Sequence, residues 1–227
     1  MIDISSLDPA STVVVATGNA HKVVEIEAIL GKAMPGKRFV ALGELGSWPD
    51  AEEDAPDFEG NALIKARAAL DATGLALAVA DDSGLVVDAL GGEPGVLSAR
   101  WAGEHGNDDA NNDKLERLMA DVPEGQRGAH FHSTVALVRR EPVAEPAPYD
   151  PATAGHSYDA CELVFIGNGD CPGRIGYERV GTHGFGYAPL FLPDDTPGRT
   201  MAELELEEKN QISHRFRALT ALAAQLA

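Results

Sequence analysis

The chain has 227 residues, with 36 acidic against 18 basic side chains and a formal net charge of −18. Such a charge argues against a surface that binds nucleic acid through phosphate contacts, although a local basic cluster with a metal ion could still hold a phosphorylated small molecule. Hydrophobic residues make up 44% of the chain. This content is enough for a sizeable core, and the length suits one large domain or two small, closely joined ones.

Targeting signals are not visible in the sequence. Residues Met1–Ser11 lack a basic region followed by an apolar stretch, and the longest apolar run, Leu75–Ala80, is too short to span a bilayer. The two cysteines, Cys161 and Cys171, lack the CxxC spacing of a zinc site. We therefore expect a cytoplasmic chain with reduced thiols and no membrane partner, with a disulfide across a hairpin as the alternative for the cysteines.

Strands and helices alternate in the first part of the chain. Runs of β-branched residues predict strands, and apolar residues at spacings of three and four predict helices. In order, the predicted elements are a strand at Thr12–Ala16, a turn at Thr17–Asn19, a helix from Ala20, a strand at Arg38–Leu42, a loop at Trp48–Asp57 and a helix around Leu63–Leu70.

The second part mixes strands, a long hairpin and two helices. The predicted elements are a central strand at Leu75–Ala80, a turn at Ser83–Gly84, an extended segment at Leu85–Leu90, a helix at Asp108–Asp121 with Leu115, Leu118 and Met119 inward, a strand at Ala129–Arg140, a hairpin loop at Glu141–Gly155, a returning strand at Tyr158–Ile166 and a final helix with Phe216, Leu219, Leu222 and Leu226 on one face. This order predicts an α/β fold with a mixed sheet.

The adjacent carboxylates of Asp81 and Asp82 are the most informative feature. They follow an apolar run, and a Ser-Gly turn after them would leave both at the rim of a sheet. Two such groups are not buried without cations or hydrogen-bond donors. A Mg²⁺ ion with a phosphate ligand would suit the pair, and the alternative is a solvated acidic turn.

A second feature is the segment from Thr17 to Lys22, where a strand ends, small residues turn and a helix begins. Backbone N–H groups at a helix N-terminus with a nearby ammonium group can bind an anion. The spacing is not that of a Walker A loop. The alternative is that Asn19 only caps the helix.

A third feature combines the acidic loop around Glu52 and Glu53 with Lys65 on the following helix. Magnesium takes one or two carboxylates and completes its shell with water and phosphate oxygens. Either glutamate could therefore join Asp82 in binding the ion. The alternative for Lys65 is an exposed position on the solvent face.

Two further segments could contact a base. In Gly181–Tyr187, glycines bracket aromatic residues, and Phe185 could stack on a flat ring, unless these aromatics belong to the core. In Lys209–Arg215, His214 and Arg215 could bind the edge of an oxopurine. The alternative is a capped helix N-terminus with basic residues in solvent.

Together these motifs resemble the inosine triphosphate pyrophosphatase, or Ham1-like, family from Val13 to Leu226. The resemblance rests on six ordered motifs: Thr17-Gly18-Asn19 with Lys22, Asn61-Ala62 with Lys65-Ala66, Asp81 to Leu85, Pro94-Gly95 with Ser98 to Arg100, Gly184 to Tyr187 with Pro189, and Ser213 to Arg215.

The resemblance implies one domain over residues 1–227, a mixed α/β fold with a long curved central sheet, and two lobes around a cleft. It also implies a homodimer and Mg²⁺-dependent hydrolysis of ITP, dITP and XTP to the monophosphate and pyrophosphate. Asp82 would be the proton acceptor, and Glu52 and Asp82 would contact the metal. The residues implied to contact the substrate are Thr17, Gly18, Asn19, Ala20, His21, Lys22, Lys65, Ser83, Phe185, Gly186, Tyr187, Ala188, Lys209, His214 and Arg215.

This chain departs from the family pattern at three places. Ala188 stands where the family usually has Asp, Gly60 stands where Glu is frequent, and the loop at 141–155 is long. Two other hypotheses therefore accompany the pyrophosphatase: a hydrolase of broader nucleotide specificity, and a nucleotide-binding module with little or no activity.

Overall fold

The protein is described by a computed structural model over residues 1–17, 20–141 and 162–226, with only the backbone described at residues 20 and 21. Six strands are present in these ranges: β1 Thr12–Val15, β2 Arg38–Ala41, β3 Leu77–Val87, β4 Gly128–Arg140, β5 Glu162–Ile175 and β6 Phe191–Pro193. Six α-helices accompany them: α1 Ala20–Ala33, α2 Leu42–Leu45, α3 Phe58–Thr73, α4 Asp108–Met119, α5 Leu206–Ile212 and α6 His214–Leu226.

The strands form one mixed sheet in the order β2-β1-β3-β4-β5-β6. Strand β1 pairs in parallel with β2 and β3, whereas β3, β4, β5 and β6 pair antiparallel. The predicted fold class is confirmed: a mixed α/β fold with a long curved sheet. Most predicted elements agree with the observed ones to within two residues at the ends that are described.

Strand β3 differs from the prediction. The predicted turn at Ser83–Gly84 is wrong, because β3 continues through both residues and pairs with β4 along its whole length. A Cβ atom on Gly84 would lie 2.4 Å from the Gly95 carbonyl oxygen and 2.5 Å from Ser98 Oγ. Gly84 therefore marks the close approach of the 3₁₀ segment Gly95–Arg100, not a turn.

Strand β5 extends further than predicted at its C-terminal end, and the first residues of the predicted strand lie outside the described residues. The strand continues beyond Ile166 to Ile175, through a glycine-rich stretch that resembles a turn in sequence. Helix α6 packs directly on the glycines of this stretch, since a Cβ atom on Gly169 would lie 2.3 Å from the Ala218 nitrogen. The predicted loop at 142–155, residues 158–161 and Cys161 lie outside the described residues.

Three buried clusters divide the core between the two ends of the sheet. Around the β1 end, α1 and α6 cover one face, with Ile26 and Leu219 buried, and α3 covers the other face with Leu70. The third cluster surrounds the far end of β3 and β4 and includes Leu115 and Phe191. The division of the chain into two lobes stays a prediction.

Two of the residues predicted to face inward do not. Leu118 of α4 is 42% exposed and Phe216 of α6 is 38% exposed, so both predictions are wrong. In each helix the next apolar residue along the chain occupies the buried stripe: Met119 and Leu219 are fully buried. The apolar spacing therefore identified the buried face of each helix correctly but assigned one exposed residue in each helix to that face.

Two features of the chain as a whole complete the fold. Cys171 is a free, buried thiol, and burial raises the pKa of this thiol to about 11. None of the helices in the described ranges is both long and apolar enough to cross a bilayer.

Candidate active site

Asp81 and Asp82 lie on opposite faces of the sheet, because they are adjacent residues of one strand. Both are buried, at 6% and 8% exposure. They lie just past Val79, where the pairing of β1 with β3 ends. The residues of β3 before the two aspartates pack in the two clusters at the β1 end, and the residues after them pack in the third cluster. The two carboxylates therefore do not form a joint metal site; each has its own cationic partner.

Lys65 and Asn61 of α3 contact the carboxylate of Asp82. Lys65 Nζ lies 2.7 Å from Asp82 Oδ1, and Asn61 Nδ2 donates to Asp82 Oδ2 at 3.4 Å. The two side chains are four residues apart on α3, so they extend from one face of the helix. Lys65 also contacts Glu53 Oε2 at 3.2 Å, which brings a second carboxylate to the same ammonium group.

Burial raises the pKa of Asp82 above its usual value, and the negative charge of Glu53 raises it further. The Lys65 ammonium opposes both effects and keeps the rise in pKa smaller. The charge of Asp82 in turn raises the pKa of Lys65 in spite of the burial of that ammonium group. A carboxylate with a raised pKa is a better proton acceptor than an ordinary aspartate.

The other face presents Asp81 to Lys22 of α1 and Arg215 of α6. Lys22 Nζ lies 3.1 and 3.2 Å from the two oxygens of Asp81, and Arg215 Nε donates to Asp81 Oδ2 at 3.1 Å. Arg215 Nη1 also donates to Glu25 Oε2 at 3.2 Å. The neighbouring cations of Lys22 and Arg215 hold the pKa of Asp81 well below its usual range, against the effect of burial. Asp81 is therefore a permanent anion that orients two cations.

A cavity of about 700 Å³ opens on the Asp81 face. Its lining brings together residues from distant parts of the sequence, which are Lys22, Ser83, Phe185, Lys209, His214 and Arg215. Nine of the predicted substrate contacts therefore share one cavity: these six with Gly186, Tyr187 and Ala188. Its volume falls within the range of small-molecule sites.

His214 lines this cavity with a neutral imidazole ring. The ring stacks on Phe131 at 5.1 Å between centroids and an interplanar angle of 17°. Burial, aided by the charge of Arg215, lowers the pKa of His214 to about 3, so the imidazole is neutral at physiological pH. The Nδ1 atom is buried and, within the described residues, has no hydrogen-bond partner. A neutral imidazole donates a hydrogen bond from one ring nitrogen and accepts one at the other.

The two aromatic residues of the glycine-rich loop have different environments. Phe185 is 69% exposed, with Lys209 Nζ 5.4 Å from the centre of its ring. Tyr187 is buried and donates its hydroxyl hydrogen to the Ser98 carbonyl at 2.9 Å. The alternative that these aromatic residues belong to the core therefore holds for Tyr187, whereas the exposed ring of Phe185 can contact a ligand. Ala188, one of the departures from the family pattern, is also buried and packs in the third core cluster.

A second cavity of about 960 Å³ lies on the Asp82 side, next to the acidic loop. Thr17, Glu52, Glu53 and Lys65 line it. Glu52, the predicted metal ligand, is exposed at this cavity, and Glu53 is the loop residue that contacts Lys65. Gly18 and Asn19 lie outside the described residues, as do the side chains of Ala20 and His21, so their predicted phosphate contacts stay predictions.

Several residues that organise the site were not singled out from the sequence. Asn61 accepts from the Ala55 nitrogen at 3.0 Å and so ties the acidic loop to Asp82, and Arg100 Nη2 donates to the Glu53 carbonyl at 3.1 Å. Asp108 accepts from the Gly186 nitrogen at 2.6 Å and holds the aromatic loop. Asn61 and Arg100 belong to motifs on which the resemblance rests, so those motifs could have identified them. No sequence pattern pointed to Asp108.

Comparison with known proteins gives a consistent result. The sequence matches the profile of the Ham1 family over residues 13–225. It is 45% identical over 219 residues to a dITP/XTP pyrophosphatase of Corynebacterium efficiens, covering 94% of this chain and 96% of the relative. It is also 45% identical over 217 residues to a dITP/XTP pyrophosphatase of Mycolicibacterium paratuberculosis, covering 95% of this chain and 96% of that one.

Two solved structures share the fold. A HAM1 protein from Coxiella burnetii matches with a TM-score of 0.75 at 37% identity, covering 95% of this chain and 98% of the other. A nucleoside-triphosphatase, or dITP/XTP pyrophosphatase, from Mycobacterium abscessus matches with a TM-score of 0.68 at 42% identity, covering 93% and 98%. With the family profile spanning nearly the whole sequence, this chain belongs to the Ham1 family.

Proposed function

We propose that this protein is a nucleoside triphosphate pyrophosphatase that hydrolyses ITP, dITP and XTP to the monophosphate and pyrophosphate. The relatives named dITP/XTP pyrophosphatase support this function. The structural observation that carries it is the pair of adjacent aspartates on β3. Each is ion-paired to a lysine from a different helix, and each of these lysines lines a different cavity.

The pairing suggests how a polyanion binds in a strongly acidic protein. Lys22 and Lys65 flank the same short stretch of β3 from opposite sides, so both ammonium groups can contact one phosphate chain at the open edge of the strand. Their carboxylate partners keep them charged and oriented until the phosphates arrive. Ser83, next to Asp82 and half-buried at the first cavity, adds a hydroxyl group to this set.

Asp82 is the group suited to accept a proton from water. Water adds at the α-phosphorus, the bond from that phosphorus to the bridging oxygen breaks, pyrophosphate leaves, and the proton of the attacking water passes to Asp82. The raised pKa of this carboxyl makes it a stronger base, while the charge of Lys65 favours its ionised form. Attack at the α-phosphorus is required for pyrophosphate to be one product.

The residues present fit a Mg²⁺ ion. Asp82 and Glu53 share the single positive charge of Lys65, and Glu52 lies at the same cavity, so carboxylate oxygens exceed the cations that neutralise them. Oxygen ligands of this type are the ones magnesium prefers. Asp82 with Glu52 or Glu53 would hold the ion, which when bound neutralises phosphate charge.

The first cavity is suited to a purine with a 6-oxo group. The neutral ring of His214 can donate an N–H to that oxygen in one tautomer, and the Arg215 Nη2 group is not used by Asp81 or Glu25. The exposed ring of Phe185 can stack on the base. A 6-amino group would leave these donors unpaired at about 1–3 kcal/mol each, which disfavours ATP.

A pyrophosphate-release assay tests the proposal. With Mg²⁺ present, we expect turnover of ITP, dITP and XTP at least tenfold faster than of ATP, which lacks the 6-oxo group; GTP, which has one, is assayed alongside. Asp82→Asn should abolish turnover while substrate binding persists, and Asp121→Asn, which changes an exposed carboxylate in the turn after α4, should leave turnover unchanged. Equal rates on all five nucleotides would favour the broader hydrolase instead.

The inactive binding module is the second hypothesis, and two departures from the family pattern motivate it. At Gly60, a Cβ atom would lie 2.5 Å from Ala55 Cβ, so a larger residue does not fit without movement of the acidic loop. The absence of a glutamate there is therefore compensated by a loop that brings Glu53 to Lys65. ITP binding without any release of pyrophosphate would establish this second hypothesis.

The assembly and the location belong to the proposal as well. We propose a homodimer that acts in the cytoplasm on free nucleotides, as a single domain over residues 1–227. Size-exclusion chromatography with light scattering tests the dimer against the 23.9 kDa mass of one chain. A monomer at micromolar concentration would contradict it.

A further inference from the structure

Two histidines and an aspartate form a cluster on β4 and β5 that the proposed reaction does not use. His130 and His132 alternate along β4 and so extend from the same face, and Asp170 is the direct partner of His132 on β5. One ligand atom from each residue lies within 4.8 Å of the others. We call these three residues the β4–β5 cluster.

The cluster lies on the same face of the sheet as Asp82. Thr134 is the register partner of Asp82, and His132 is the partner of Gly84. The ring of Phe58, the first residue of α3, packs on the His132 ring at 4.9 Å between centroids. The cluster therefore lies beside the helix that carries Lys65, on rigid elements instead of loops.

The hydrogen bonds orient Nδ1 of His132 toward Asp170. Thr134 donates its only hydroxyl hydrogen to Asn168 Oδ1 at 2.7 Å, so it accepts from His132 Nε2 at 3.0 Å. Nδ1 of His132 then points to Asp170 Oδ1, which is 2.6 Å away. A metal ion bound by these two atoms would move them apart, from this hydrogen-bond distance to about 3.4 Å.

The hydrogen bonds of His132 match those of a metal-binding histidine whose ring is held in one orientation. A metal-binding histidine donates its second ring N–H to a partner that fixes the tautomer, and here Thr134 and Asn168 fill that role. His130 Nε2 lies 4.0 Å from the same oxygen of Asp170 and supplies a third donor. Around a tetrahedral ion the ligand atoms lie about 3.4 Å apart, within the span of the cluster.

We propose that the β4–β5 cluster binds a transition-metal ion of the Zn²⁺ class, at a site separate from the carboxylates that suit Mg²⁺. Two imidazoles and one carboxylate form a donor set that Zn²⁺, Co²⁺ and Ni²⁺ prefer and that Mg²⁺ does not. With three protein ligands, of which Asp170 is exposed and the histidines are half-buried, the ion keeps a position for water or a ligand. The site pins β4 to β5 next to α3.

Isothermal titration with Zn²⁺ tests the proposal, with Mg²⁺ in excess to occupy the carboxylates. We expect one Zn²⁺ per chain and an unfolding temperature that rises with Zn²⁺ concentration. His130→Ala and Asp170→Asn should each weaken binding at least about tenfold, and Thr134→Val should weaken it about 10- to 100-fold through the loss of ligand orientation. The Co²⁺ form should show the visible absorption of a four-coordinate ion.

Two controls distinguish this site from other sites. His105→Ala removes an exposed histidine outside the cluster, and Asp82→Asn removes the carboxylate of the proposed reaction; both should leave Zn²⁺ affinity unchanged. Zn²⁺ binding that survives His130→Ala and Asp170→Asn would overturn the proposal. So would the absence of Zn²⁺ binding by the wild-type protein. Neither readout involves substrate, so failure here leaves the proposed pyrophosphatase untouched.

Discussion

Asp82 and Lys65 illustrate how neighbouring charges set the chemistry of a single residue. Lysine is the main influence that lowers the pKa of this carboxyl, while burial and Glu53 raise it. The proton acceptor must be ionised, so activity falls as the pH drops through its pKa. Any change that removes the lysine charge therefore moves this loss of activity to higher pH.

We predict that Lys65→Met shifts the acid limb of the pH profile of kcat/KM upward and lowers kcat/KM at neutral pH at least about tenfold, because a phosphate contact is lost too. The profile for ITP hydrolysis at fixed Mg²⁺ measures both effects. Lys32→Met, at an exposed position in the last turn of α1, is the matched control and should match the wild type. An unmoved acid limb would show that Lys65 does not control the ionisation of Asp82.

At Asp81 the neighbouring cations outweigh the effect of burial, so the pKa of this carboxyl lies well below its usual range. A carboxyl of this kind stabilises the folded state fully above the pKa of the unfolded chain, about 3.9. The contribution is lost as the pH falls below that value toward the lower pKa of the folded state.

We predict that Asp81→Asn lowers the free energy of unfolding at pH 7 by about 3 kcal/mol, because Lys22 and Arg215 lose a buried counter-ion. Urea unfolding measures the difference, which should narrow below about pH 4. The control is Glu208→Gln, which breaks the exposed ion pair with Arg199 and should leave the urea midpoint near that of the wild type. A variant as stable as the wild type at pH 7 would contradict this account of Asp81.

At the scale of elements, two helices reach the same strand from opposite faces. Helix α3 places Asn61 and Lys65 on Asp82, and α6 begins with His214 and Arg215 at the first cavity. The approach of α6 depends on glycines in β5. A Cβ atom on Gly169 would lie 2.3 Å from the Ala218 nitrogen and 2.4 Å from the His214 carbonyl oxygen.

We predict that Gly169→Ala pushes α6 away from β5, with a loss of about 1–3 kcal/mol in stability, because both contacts are with backbone atoms that do not yield easily. Displacement of His214 and Arg215 should raise KM for ITP more than it changes kcat. Gly125→Ala, where a Cβ atom meets nothing within 4 Å and φ is ordinary, is the matched control. Wild-type stability and KM in the Gly169 variant would rule out this packing as the basis of the site.

At the scale of the whole molecule, the net charge of −18 governs long-range interactions. Three cations at the site, those of Lys22, Lys65 and Arg215, are each held by at least one carboxylate. A long polyanion such as DNA is repelled by the net negative charge, whereas a short triphosphate needs only the local cluster.

We predict that the protein does not bind single- or double-stranded DNA at physiological salt. Gel-shift experiments at protein concentrations up to about 100 µM cover the range of ordinary non-specific affinity. A basic single-strand-binding protein in the same assay serves as the positive control. A shifted band that disappears with added salt would contradict the prediction and would indicate a basic surface outside the described residues.

Local patterns in the sequence determined much about this protein. The apolar spacing predicted α1, α3, α4 and α6, the β-branched runs predicted β1 and β4, and the motifs identified most residues that line the two cavities. These features depend on neighbouring residues in the chain, through helix and strand periodicity and through short turns. The resemblance to a family added the activity and the assembly.

Tertiary structure alone decided which residues act together. Pairing with β4 carries β3 through Ser83 and Gly84, although the sequence resembles a turn, and the resulting alternation sends Asp81 and Asp82 to different partners. Likewise, Asn61 and Arg100 bring Glu53 to Lys65, and α6 brings Arg215 to Asp81. The ion pairs of Asp81 and Asp82 with Lys22, Lys65 and Arg215 join residues 17 to 134 positions apart, and their energies depend on long-range pairing and packing, which no local pattern contains.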